Sequence, residues 1–545
     1  MKILFNKKAI ASLISGAAVA TTALTLTALS GCQTTDNAES AEPAKIKNVI
    51  MMIGDGMGPQ QVGLLQEYAT HAPHSIYEGQ PTGISKMMDA GVVGLSQHSP
   101  AYNIVVDSAS SASQLATGVP SPSEAVGLDA KGNPAETVLE LAKKSGKATG
   151  LISDTRLTHA TPAAFAAHKA HRSLENSIAE EMLANNVDVM LSGGLRHWIP
   201  KSTNDKGELY NQLKERTDGS VKIKSKRKDE KNLLVEAEQA GYTVALTRKE
   251  FESAKGDKLL GLFSYSGMAD GIQHTLTKDN ADRTQPTLKE MTAKALDILS
   301  QDPDGFFLMI EGGRIDWAGH DNDVATMLHE MLKFDETIDY VYEWVKDRND
   351  TLVVVTADHE TGGFGFSYSR ADIPAPEQLD GSGFAERTYK PNFNFGSFDI
   401  LDKLYEQKLS YPDIFSAFSK TEKTPADLMK IVNDNSEFDI TLEQAEEILA
   451  SEPNFYKVDD HKYLSAERFP KVMDFKAFYV YGEEIRHDLL GRAVAEDQNV
   501  VWGTGTHTST PVPVIAFGPE SVSKQFGKMV HHTDIGRMTK EVIAQ

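Results

Sequence analysis

From Lys45 onward, short apolar runs alternate with segments of helical spacing. The run at 48–53 is almost wholly apolar and is closed by Gly54-Asp55-Gly56-Met57-Gly58. It predicts a strand buried on both faces. The same reading predicts strands at 148–153, 187–191, 242–246, 305–310, 351–356 and 512–517. Helical spacing falls at 137–145, 233–240, 287–299 and 327–345. Apolar strands alternating with helices predict an α/β fold, with a mostly parallel central sheet flanked by helices on both faces. In such sheets, sites gather at the carboxyl ends of strands.

Two stretches break the rhythm. Residues 202–232 are polar and hold a basic run at 222–228, which reads as a solvated excursion. Residues 363–500 are rich in Phe, Tyr, Asp and Glu and read as an insertion of roughly a domain's size. One domain therefore spans 45–545, interrupted at about 202–232 and 363–500. The late insertion is expected to shape the mouth of a pocket or a dimer interface.

The first 44 residues read differently. Lys2, Lys7 and Lys8 precede an uncharged stretch rich in Ala, Leu and Thr, ending in Leu29-Ser30-Gly31-Cys32. This is the pattern of a secretory signal. A lone Cys after two small residues resembles the lipobox of bacterial lipoproteins, which implies that Cys32 is acylated and begins the mature chain. Residues 33–44 are small and polar and read as a tether. The expected location is the periplasm or outer membrane of a Gram-negative-type bacterium, with membrane contact only through the lipid.

Charge and cysteine count narrow the partners. Lys plus Arg is 55 and Asp plus Glu is 77, for a net charge of −22. Nucleic acid and anionic lipid are disfavoured as charge-driven partners. A single cysteine allows no intramolecular disulfide, so packing and metals must hold the core.

Acids and histidines cluster just after the predicted strands. Asp55 follows the first, Glu311 the run at 305–310, and Asp358 and His359 the run at 351–356. Asp316 and His320 are four apart and would face one ion on a helical turn. His507 precedes the last strand. A mixed Asp/His set suits zinc. Ser108, within Asp107-Ser108-Ala109, falls at a strand-to-helix turn, which serves either as a helix cap or as an anion site. No G-x-S-x-G elbow surrounds it, so an α/β-hydrolase triad is not indicated. Arg172 follows His159-Ala160-Thr161-Pro162 and could grip two phosphate oxygens.

Together, Ile53-Gly54-Asp55-Gly56-Met57-Gly58, Asp107-Ser108-Ala109, Ala160-Thr161-Pro162-Ala163-Ala164, Glu311-Gly312-Gly313-Arg314-Ile315-Asp316, Thr356-Ala357-Asp358-His359-Glu360 and His507-Thr508 resemble the alkaline phosphatases, in the family's order. The late insertion and Asp316-Trp317 are most similar to its marine-bacterial members. The resemblance implies hydrolysis of phosphate monoesters through a phosphoserine on Ser108. It implies two zinc ions, one on Asp316, His320 and His507, the other on Asp55, Asp358 and His359 with Ser108 as a further ligand. It implies one magnesium on Asp55, Thr161 and Glu311, with Arg172 binding phosphate. It also implies a homodimer and an alkaline optimum.

The chain departs from the best-known enteric members at His159 and Trp317, where they carry Asp and Lys. His159 would ligate the third metal or hold phosphate through a water. His168 and His171 match no ligand and read as structural. The rival readings are a phosphodiesterase or phosphonate hydrolase with the same zinc pair and, more remotely, a non-catalytic metal-binding surface lipoprotein. A sulfatase is disfavoured, because no C/S-x-P-x-R motif follows Ser108.

Overall fold

The run at 48–53 becomes strand β1, Asn48–Gly54, in a computed structural model that describes residues 45–545. The signal segment, Cys32 and the tether at 33–44 lie outside the described residues. Every residue of β1 is buried, and its side chains divide between two cores. Ile50 and Met52 join one apolar cluster, while Val49, Met51 and Ile53 join the other. That division is the pleat of a strand covered on both faces.

Nine further strands complete the sheet: β2 (Val92–Gln97), β3 (Ala148–Arg156), β4 (Val189–Gly193), β5 (Thr243–Ala245), β6 (Leu259–Leu262), β7 (Phe306–Gly312), β8 (Thr351–Ala357), β9 (Val512–Phe517) and β10 (Met529–His531). Their order is β10-β2-β9-β8-β1-β7-β3-β4-β6-β5. All pairs are parallel except the two made by β9, which runs antiparallel to β8 and β2. The predicted fold class is the one observed. Three strands escaped the sequence pattern. β2 has an alternating face, with Val93 and Leu95 exposed, β6 is four residues interrupted by Gly261, and β10 is three residues long.

Register sets the site. Ile53 pairs with Glu311 on one side and with Thr356 on the other, and Ser153 also pairs with Glu311. The carboxyl ends of β8, β1, β7 and β3 therefore lie side by side. Asp55, Glu311 and Asp358 emerge there, on the central strands of the sheet.

The stretch at 363–500 adds no strand to the large sheet. It holds five α-helices, from Asp399–Tyr405 to Ile485–Val494. Its two ends meet where Gly365–Phe366 pairs with Val500–Val501. Leu404, Tyr411, Ile414 and Leu428 join the same apolar cluster as Val324 and Val341 of the main domain. At 222–228 the lysines are exposed, as expected of a solvated excursion, but Arg227 is not. Its buried guanidinium donates to Glu180 at 2.5 Å, to Asp229 at 2.7 Å and to the carbonyls of His197 and Asn176. Among the described residues, no helix is long and apolar enough to cross a membrane.

Candidate active site

Ser108 opens helix α1 (Ser108–Thr117), but it is not the cap. Asp107 is, accepting from the amides of Ala109 at 3.1 Å and Ser110 at 3.2 Å. The serine hydroxyl is thereby left free, and it lies 3.2 Å from His359 Nε2. Neighbouring Ser111 donates to the Asp358 carbonyl at 2.6 Å, tying this helix to the end of β8.

Asp316 and His320 do share one face of a helix, α2 (Arg314–His320). Asp316 Oδ1 is 3.3 Å from His320 Nε2 and 3.6 Å from His507 Nε2. The two Nε2 atoms face each other at 3.1 Å. On the far side of each ring, Nδ1 donates to a backbone carbonyl: His320 to Gly505 at 2.9 Å and His507 to Val106 at 2.8 Å. Those hydrogen bonds fix the tautomers, so both Nε2 lone pairs converge on one point, as metal ligands require.

A second convergence lies beside it. His359 Nε2 is 3.2 Å from Asp358 Oδ2 and 3.5 Å from Asp55 Oδ1. Asp55, Asp316 and His359 have ligand atoms close enough to hold one ion, and so do Asp316, His320 and His507. A third such group is Asp55, His159 and Glu311. Asp55 and Asp316 each belong to two of these groups.

The polar accounting fits cations. Both Asp55 carboxylate oxygens, Asp358 Oδ2, Glu311 Oε1 and Thr161 Oγ1 are buried without a hydrogen-bond partner. Buried carboxylates left unpaired cost several kcal/mol each, roughly, unless a proton or a metal neutralises them. Burial, then repulsion by Asp358, Asp316 and Glu311, pushes the Asp55 carboxyl well above its usual range. Burial and Asp316 do the same to Asp358. Burial carries Glu311 up to about 7, against the opposing hydrogen bond from Ser153. The donor set of carboxylates, imidazoles and a threonine hydroxyl is that of a closed group of hard and borderline cations.

Arg172 reaches the site from the loop after helix Ala160–Ala166. It is half-buried and held at two points, 3.1 Å from Asp107 Oδ2 and 3.3 Å from His159 Nε2. Arginine only donates, so His159 accepts through Nε2. Burial, then the charges of Arg156 and Arg172, keeps His159 neutral. A neutral imidazole has one lone pair, and here Arg172 occupies it. Nδ1–H then faces Glu311 Oε1 at 3.9 Å. In this arrangement His159 braces Arg172 through Nε2, while its ring also belongs to the third ligand group with Asp55 and Glu311.

The other histidines of the sequence reading do sit apart from the cluster. His168 bridges the Gly127 carbonyl and Glu140, and His171 pairs with Glu124. Several contributors had no sequence signal. Thr361 donates to Asp316 Oδ1 at 2.6 Å, and Ser153 and Thr155 donate to Glu311. His532 donates to the Asp358 carbonyl at 3.0 Å. Tyr481 packs against His320. Hydroxyl residues near a strand end carry no distinguishing pattern, and Tyr481 comes from a distant segment.

The alkaline phosphatase family model matches residues 46–445. The chain belongs to that family. It is 31% identical to alkaline phosphatase 3 of Bacillus subtilis over 499 residues, covering 90% of this chain and 88% of that protein. It is similar to the crystal structure of a cold-active alkaline phosphatase from a psychrophilic Shewanella, with a TM-score of 0.64 at 26% identity, covering 91% of this chain and 100% of that one. The alkaline phosphatase of Thermus thermophilus shares the fold, with a TM-score of 0.71 at 23% identity over 95% of this chain and 96% of that one. The protein is accordingly a phosphatase, a metal-dependent hydrolase of the kind that takes phosphate monoesters.

Proposed function

We propose that this alkaline phosphatase is an exported enzyme that cleaves phosphate monoesters through a phosphoserine on Ser108. One observation carries the reading. The Ser108 hydroxyl, freed from capping by Asp107, sits against His359 among converging carboxylates and imidazoles, with Arg172 anchored next to it.

Asp316, His320 and His507 would hold one zinc, and Asp55, Asp358 and His359 a second. Asp55, Thr161 and Glu311 would hold magnesium. When bound, these ions acidify the serine hydroxyl and supply positive charge to the attacking and leaving oxygens.

The chain's own groups do the rest. Ser108 Oγ bonds to phosphorus, giving up its hydroxyl proton to solvent as the bond to the alcohol oxygen breaks, and the alcohol departs with a proton taken from solvent. A water oxygen then bonds to phosphorus, the bond to Ser108 breaks, and the serine recovers its proton as phosphate leaves. Arg172 pairs two non-bridging oxygens, where charge lies in the transition state. Asp107 and His159 hold its guanidinium in place for this. A diester offers one fewer charged oxygen, so Arg172 favours monoesters.

Export and anchoring rest on the sequence of the signal segment and on acylation of Cys32. Family kinship supports a homodimer, which sedimentation of the soluble chain would test.

The deciding experiment compares a nitrophenyl phosphate monoester with the diester, using the protein without residues 1–32, zinc and magnesium added. Strong preference for the monoester is expected, and preference for the diester would overturn the reading. Arg172→Ala should lower kcat/KM on the monoester about 10- to 100-fold, the worth of a charge-assisted pair. Its loss on the diester should be smaller. An equal loss on both would remove Arg172 from substrate discrimination.

A further inference from the structure

The late insertion sends one residue back to the metal-ligand cluster. The Tyr481 ring meets His320 edge-on, with centroids 4.9 Å apart. The Tyr463 ring stands edge-on to Tyr481 at 5.1 Å, and the Lys462 ammonium lies 4.3 Å from the Tyr463 centroid. An aromatic ladder thus leads from His320 toward the surface.

Tyr481 is half-buried, and among the described residues its hydroxyl has no hydrogen-bond partner. The segment is anchored from behind. Ile485 is fully buried, His487 pairs with Asp321 at 2.7 Å, and Arg492 donates to the Tyr479 hydroxyl at 2.6 Å. On the Ser108 side, Tyr102 and Ile104 are exposed just ahead of Asp107.

We propose that Tyr481, backed by Tyr463, is the wall that grips the organic group of the monoester and selects flat aromatic alcohols. This rests on the reading above: Ser108 lies beside His359 of the second ligand group, which leaves the Asp316–His320–His507 group to face the leaving oxygen. A substituent on that oxygen projects past His320, whose ring Tyr481 covers edge-on. A flat ring gains offset or edge-to-face contact on such a wall, whereas a two-carbon chain gains little.

The test uses naphthyl phosphate and ethyl phosphate with the wild type, Tyr481→Ala and Tyr481→Phe. Comparing each variant with the wild type on one substrate cancels the difference in leaving-group chemistry. Tyr481→Ala should lose about five- to tenfold more kcat/KM on naphthyl phosphate than on ethyl phosphate, the scale of one aromatic contact. Tyr481→Phe keeps the ring and should keep the selectivity. Zinc content of each variant is measured alongside. Equal losses on both substrates, with or without lost zinc, would make Tyr481 a support for His320 and overturn the proposal. A phenylalanine variant as impaired as the alanine one would overturn it too. Tyr463→Ala, which leaves the His320 contact alone, should shift selectivity in the same direction and covers a poorly folding Tyr481→Ala. A wild type inactive on both esters would sink the phosphomonoesterase reading instead.

Discussion

Ser108→Ala is expected to lower kcat on aryl phosphate monoesters by a factor on the order of 10^3 or more, the scale of losing a covalent nucleophile. The substitution is mild as structure. Ser108 is buried at the start of α1, and its hydroxyl neither caps the helix nor bonds a backbone group. Alanine suits a helix interior better than serine. Asp107 keeps both amides it accepts from, and Ser111 keeps the Asp358 carbonyl. The ligand residues and Arg172 stay where they are, so zinc content and melting temperature should barely change. Chemistry should change in kind, because water would have to attack the ester directly. Acid-quenched protein incubated with labelled phosphate should carry label in the wild type and none in the variant. Retained turnover with retained zinc would exclude Ser108 as nucleophile, whatever its place beside His359.

Much of this frame was legible in the chain. Six of the seven strands read from apolar runs are five to nine residues long and mostly buried, since a strand covered on both faces has no polar alternation to confuse it. β5, three residues at the sheet edge, is the exception. β2 failed that reading because one face is half-exposed, and β6 and β10 because so few residues leave no period. The ligand-type residues were legible for a related reason. Parallel strands in register bring their carboxyl ends together, so an acid after each apolar run predicts a cluster. Residues that depend on chain crossing were not legible. His532 reaches Asp358 from 174 positions away, and Thr361 meets Asp316 across 45. The role of His159, as third-metal ligand or phosphate holder, was open in sequence, and its contact with Arg172 could not be read there. Whether Ser108 served as a helix cap or an anion site was open in sequence, and the amides place the cap on Asp107.

Metal removal should destabilise the protein more at alkaline than at acid pH. Asp55, Asp358 and Glu311 are buried together, and burial raises all three pKa values, Glu311 to about 7. A carboxyl raised in the folded state binds its proton more tightly there than in the unfolded chain. For Glu311, stability without metal therefore falls as pH rises from about 4.3, the unfolded value, through about 7. Below that window the emptied cluster keeps its protons and is tolerated. Above it, the carboxylates are charged, buried and mutually repelling. With metal bound, the same ionised groups are ligands, so affinity rises as protons leave. Melting temperatures with and without chelator, at pH 5 and pH 8.5, read both effects. The gap at pH 8.5 should be on the order of 10 °C for several tightly held ions in a chain of this size. It should narrow at pH 5, where protons substitute for the metals. A gap that is equal or wider at pH 5 would mean that the carboxylate cluster is not what the metals neutralise.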